Sequence, residues 1–166
     1  TTSEDALNLF RSDFYLSNSK FINLNSDALD IDFSDGEIVN SEFIGIGNDA
    51  IDVSGGKIII ENVYIQKVSD KAISAGENSE ININNSFILD ASIGLASKDL
   101  SEINSINTNI QNADLCLAAY QKKPEYGPGL IRSNQRYSSC NKVYLLEPKS
   151  SIIVGSDILT YNTESV

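Results

Sequence analysis

Asp27-Ala28-Leu29-Asp30-Ile31 recurs as Asp49-Ala50-Ile51-Asp52-Val53 and again as Lys71-Ala72-Ile73-Ser74-Ala75. Backwards from Asp27 the same pattern stands as Asp5-Ala6-Leu7-Asn8-Leu9, and forwards it fades into Ile93-Gly94-Leu95 and Leu115-Cys116-Leu117, each start 22 residues after the last. A second series keeps the same step. Asn18, Asn40, Asn62, Asn85 and Asn107 are each followed three residues later by an apolar residue, namely Phe21, Phe43, Ile65, Ile88 and Ile110. Two independent series with one period mark a repeat architecture.

Within a repeat the apolar residues alternate with polar ones, as Leu29, Ile31 and Phe33 do with Asp30 and Asp32. That is the period of a strand with one buried face, and helical spacing is absent. Three short strands fit each repeat: the Ala-Leu segment, a middle segment such as Ile58/Ile60 or Ile81/Ile83, and the segment after the Asn. One repeat cannot bury its own apolar side, but stacking places Leu7, Leu29, Ile51, Ile73, Leu95 and Leu117 in one interior column. Leu24, Ile46, Val68, Ala91 and Ala113 form another. The expected fold is therefore all-β, a right-handed parallel β-helix of about seven 22-residue coils. Parallel crossovers set the hand, and Asn suits left-handed turns and can bond its amide to the next coil.

Spacing also locates the irregularities. The turn Gly76-Glu77-Asn78-Ser79-Glu80 holds one extra residue and the next coil loses one. After Ala119 the period lengthens by five through Tyr120 to Gly129, before Asn134 rejoins the Asn series, so this segment must bulge from the wall.

The 166 residues suit one domain, 1–166, and a first residue Thr1 with no methionine reads as a piece of a larger protein. Twelve basic and 23 acidic side chains leave a charge of −11, which disfavours nucleic acid and anionic membranes. No apolar run is long enough to insert in a bilayer. Without histidine, chemistry would fall to carboxylates, Lys, Arg or Tyr. Cys116 and Cys140 sit one coil apart and three residues out of step. That offset exceeds disulfide geometry unless the bulge distorts the coil, so two unlinked thiols are expected.

The run from Asp49 to Asp99, with Ser69-Asp70-Lys71-Ala72-Ile73-Ser74, Gly76-Glu77-Asn78-Ser79 and Ile93-Gly94-Leu95-Ala96-Ser97-Lys98, resembles bacterial right-handed parallel β-helix repeat proteins of the pectate lyase-like superfamily. The resemblance extends over roughly residues 3–159. It implies an extracellular or cell-surface, polysaccharide-related setting. No lyase or epimerase catalytic motif carries over, and the lack of histidine departs from epimerases that use one.

Two places could carry function. On the early coils, Asn8, Asp30, Asp52 and Ser74 share one outward position, Asp32, Ser54, Gly76 and Lys98 a second, while Asp5, Asp27 and Asp49 form a corner column. Asp30 and Asp52 should stack about 4.8 Å apart, repelling by about 1 kcal/mol in water, and Asp27, Asp30, Asp32, Asp49 and Asp52 could share a calcium ion. The plainer reading makes them solvated turn and strand residues that accept turn amides. Lys98, the only aligned base, is expected about 14 Å from Asp32, which disfavours catalysis and leaves no catalytic residue to name. The second place is the bulge, where Tyr120, Lys122, Lys123 and Tyr126, with Arg132 beyond, suit an acidic polysaccharide or a protein partner. The plainer reading is a loop shaped by Pro124, Gly127, Pro128 and Gly129. End-to-end or side-by-side self-association is the other expected contact. The function expected is a non-catalytic module, a rigid spacer or binding surface in a larger secreted or surface protein. The alternative is a calcium-dependent lyase or epimerase acting on acidic glycans.

Overall fold

The computed structural model describes residues 5–161, and over that span the chain winds into seven stacked coils. One face is built from β1 (Asp5–Phe10), β4 (Asp27–Asp32), β7 (Ile51–Ser54), β9 (Tyr64–Gly76), β11 (Phe87–Lys98), β14 (Leu115–Tyr120) and β16 (Lys142–Leu146), in that order. A second face stacks β2 (Phe14–Ser17), β5 (Gly36–Val39), β8 (Lys57–Glu61), β10 (Glu80–Asn84), β12 (Glu102–Ile106), β15 (Leu130–Ser133) and β17 (Ser151–Val154). The third is shorter: β3 (Lys20–Leu24), β6 (Glu42–Ile46), the first halves of β9 and β11, and β13 (Asn109–Gln111). Neighbouring coils pair in parallel, with Leu7 on Leu29, Leu29 on Ile51, Ile51 on Ile73, and Leu95 between Ile73 and Leu117. The fold is the parallel β-helix that the period implied.

The core is the stack of these inward columns. Leu29, Ile51, Ile73, Leu95 and Leu117 are fully buried, as are Ile38, Ile60, Ile81 and Ile103 from the second face. Ile46, Val68, Ala91 and Ala113 close the third face. Burial of branched side chains at every second position supplies the apolar area that holds the coils together.

The corners explain why the polar residues recur as well as the apolar ones. Asn18, Asn40, Asn62, Asn85 and Asn107 all adopt φ between 49° and 53°, the left-handed turn that Asn tolerates. Their amides also bond from coil to coil: Asn62 Nδ2 donates to Asn40 Oδ1 at 2.6 Å, Asn107 to Asn85 at 3.3 Å, and Asn134 to Asn107 at 3.3 Å. A serine column does related work at the next corner. Ser34 Oγ accepts the Ser12 amide, Ser79 Oγ the Gly55 amide, and Ser101 Oγ the Ser79 amide. These buried hydroxyls accept backbone donors at the corners between strands.

The irregularities fall where the spacing put them. β11 shifts register against β9 between Ala91 and Ile93. From Tyr120 the chain leaves the wall, turns at Lys123–Tyr126, closes with the Gly129 amide on the Tyr120 carbonyl at 3.2 Å, and rejoins through Leu130 on Ser101. Gly129 lies so close to Ser97 that a Cβ would sit 2.1 Å from the Ser97 carbonyl oxygen, so no other residue closes this loop without displacing backbone.

One expectation is corrected. Cys116 and Cys140 are not separate thiols but a disulfide, with Cα atoms 5.7 Å apart. The three-residue offset was counted along the chain. Here the chain turns a corner between Ala113 and Cys116, with Asn112 at φ 54° and both Ala113 and Cys116 facing inward, so the offset shortens to bonding distance. After Gly155, at φ 61°, β18 (Asp157–Leu159) folds back antiparallel on β17 and pairs its otherwise open edge. At the other end the inward residues of the first coil, Leu7, Leu9, Phe14, Leu16, Phe21 and Leu24, are only partly buried.

Candidate functional site: the aspartate wall

Strand pairing builds this site directly. Because β1, β4, β7 and β9 stack in register, Asn8 faces Asp30, Asp30 faces Asp52, and Asp52 faces Ser74 on the outer surface. Asp32 pairs with Ser54 and Ser54 with Gly76 in the next outward column.

At the corner, Asp27 Oδ1 accepts the amide of Asp49 at 2.7 Å and the side-chain amide of Asn48 at 2.6 Å. Asp49 Oδ1 in turn accepts the amide of Lys71 at 2.9 Å. Each aspartate thus receives the backbone donor of the coil that follows, which is why an acid recurs there. Lys71 ends the series by supplying its own charge. Its Nζ lies 3.2 Å from Asp49 Oδ1 and 2.5 Å from Asp70 Oδ2.

The wall is electrostatically loaded. Asp30 is raised to about 6, first by burial and then by the charges of Asp32, Asp5 and Asp52, against a lowering bond from Asn8 Nδ2 at 2.6 Å. Burial also raises Asp49 to about 6, outweighing its bonds from Lys71. Burial pulls the Lys71 ammonium down, but Asp70 and Asp49 outweigh it and hold the group charged above its ordinary range.

Lys98 departs from expectation. Its column position sets it three coils from Asp32, but its chain crosses Gly76 and brings Nζ to 2.6 Å from Ser74 Oγ and 3.4 Å from Asp52 Oδ1. Gly76 makes this crossing possible, since a Cβ there would lie 2.9 Å from Lys98 Cε. The alignment put Lys98 and Gly76 in one column, but a four-carbon side chain spans more than one coil. Ser74 beside a lysine has the composition of an activated nucleophile. Its hydroxyl is fully buried, however, and no substrate carbon can approach it. Among the described residues no group of three or more acidic or cysteine side chains is arranged to hold a metal ion.

The bulge is likewise tied inward. The amides of Lys122 and Lys123 both donate to Asp99 Oδ1, at 2.7 and 2.6 Å, while Asp99 Oδ2 is buried without a partner. Lys123 pairs with Glu77, and Arg132 Nε with Glu102 Oε1 at 3.0 Å. Burial raises the Tyr120 hydroxyl, and Gln121 Nε2 donates to the Tyr126 carbonyl at 2.5 Å. Of the residues singled out there, Lys122 alone projects a cation without an acidic partner among the described residues. Asp99, Glu77 and Glu102 were not singled out in the sequence, and nothing in their spacing marks them, because their partners join only once the bulge has folded.

Comparison of the chain with protein-family profiles, with characterised proteins and with solved structures gives no match. The resemblance therefore stands at the level of the parallel β-helix, and no superfamily is assigned. No helix among the described residues is long and apolar enough to cross a membrane.

Proposed function

We propose that this chain is a non-catalytic β-helix module, a rigid spacer that also offers a binding surface within a larger secreted or surface-exposed protein. The observation that carries this reading is the mutual pairing of the wall. Lys98 is engaged by Ser74 and Asp52, Lys71 by Asp49 and Asp70, and the oxygens of Asp27 and Asp49 by backbone amides, so both lysines that reach the wall are already paired. The disulfide supports the secreted setting, since such bonds persist in oxidising compartments.

A calcium-dependent lyase or epimerase is the rival, and one observation favours it: a lysine does reach the aspartates, at Asp52. The test is an assay for unsaturated uronate products on acidic oligosaccharides, with calcium and with chelator, beside a glycan-array screen. The module reading expects no turnover in either condition. Product formation abolished by Lys98→Met would establish the rival.

A further inference from the structure

The second face carries a feature that the aspartate wall does not. Tyr15, Glu37, Ile59 and Asn82 are successive outward rungs of β2, β5, β8 and β10. They floor an open groove of about 440 Å3, bordered by Asp13, Asp35, Lys57 and Glu80. Tyr15 is 66% exposed and Ile59 42%, unusual for large apolar groups on a face where alternate residues are fully buried. The acids dominate the border. Lys57 is shared with Glu80 at 3.5 Å and its amide with Asp35 at 2.8 Å, while Asp13, Glu37 and the Tyr15 hydroxyl have no partner among the described residues. An exposed ring beside unpaired carboxylates attracts a cation twice, through the ring face and through the charge.

We propose that this groove binds a chain of amino sugars, its ring faces over Tyr15 and Ile59 and its ammonium groups on Glu37 and Asp13. This rests on the reading of the chain as a binding module and names its ligand class and place. The groove runs along the stacking axis, where rungs recur about every 4.8 Å, whereas an extended peptide presents same-side residues only about every 6.8 Å. A basic peptide laid along it falls out of step within a few rungs. A stiff chain of linked amino-sugar rings repeats close to the rung spacing and turns alternate rings over, so rings of one orientation fall two rungs apart, as Tyr15 and Ile59 do, with amines directed alternately to the two sides of the groove. The net charge of −11 adds long-range attraction for such a polymer.

The experiment is calorimetric titration of the intact chain with glucosamine hexamer, its N-acetylated counterpart, hexalysine and a hexagalacturonate. The glucosamine hexamer should bind, weaken in 0.5 M salt, and lose affinity by roughly three- to tenfold in each of Tyr15→Ala and Glu37→Gln. Glu125→Gln, a charge change on the bulge, should leave it unaltered. Equal binding of the N-acetylated hexamer overturns the cationic assignment, and equal or tighter binding of hexalysine transfers the groove to a protein partner. Absence of glucosamine binding to a folded chain overturns the inference while leaving the module reading intact. Turnover of hexagalacturonate would instead sink the module reading and leave the groove result to stand by itself.

Discussion

Removing the Cys116–Cys140 bond tests the part of the structure that the sequence did not foretell. The bond spans 24 positions and encloses both the bulge and β15, so it restricts the unfolded chain where the solenoid has its longest excursion. Loop-closure entropy for a ring of about 25 residues is about 12 cal/mol/K, or about 3.5 kcal/mol at 25 °C. For a chain of this length that corresponds to a fall in Tm of about 7 to 14 °C. The variant Cys116→Ala/Cys140→Ala, compared with the oxidised chain by thermal and urea unfolding, should show a loss of that order. Because each coil touches only its neighbours, amide exchange should quicken in β14 to β17 and stay slow in β4 to β8. Two titratable thiols in the unreduced native chain would refute the pairing. An unchanged Tm on reduction would refute its energetic role.

Ile51→Ala, in the centre of a fully buried column, should cost about 2 to 5 kcal/mol by urea denaturation, whereas Ile59→Ala on the outer surface should cost far less. Asp30 is held at about 6 in the fold against an ordinary 3.8, so its ionised form opposes folding above pH 6 and the opposition fades as pH falls towards 4. Asp30→Asn should therefore raise Tm at pH 7.5 and lose that advantage near pH 4; an equal effect at both pH values removes the argument. A cation bridging Asp30 and Asp52 predicts that millimolar calcium raises the Tm of the wild type but not of Asp30→Asn/Asp52→Asn, and equal shifts in both would dispose of it.

Legibility of the sequence followed the range of the interactions. Columns of Leu, Ile and Asn were readable because stacking makes residue 22 steps away a spatial neighbour, so one period reports both burial and pairing. Asp30 above Asp52 followed from the same rule. Lys98 did not, because a flexible side chain crosses Gly76 and reaches a coil that periodicity does not connect to it. The disulfide was misjudged for a related reason: the corner at Asn112 brings together positions that look separated when the chain is treated as straight. The role of Asp99 lay further from view. Its two amide partners, Lys122 and Lys123, belong to the one segment that leaves the repeat.

The central claim, that coils of about 22 residues stack in parallel, is open to a direct solution test. Nuclear Overhauser contacts between backbone protons should connect Leu29 with Ile51, Ile51 with Ile73 and Ile73 with Leu95 on one face, and Ile38 with Ile60 on another. The account predicts parallel-strand contacts at these pairs in both faces at once, with slow amide exchange along them. Close cross-strand Hα–Hα contacts of antiparallel hairpins between adjacent segments such as 27–32 and 36–39, in place of the contacts 22 residues apart, would contradict it.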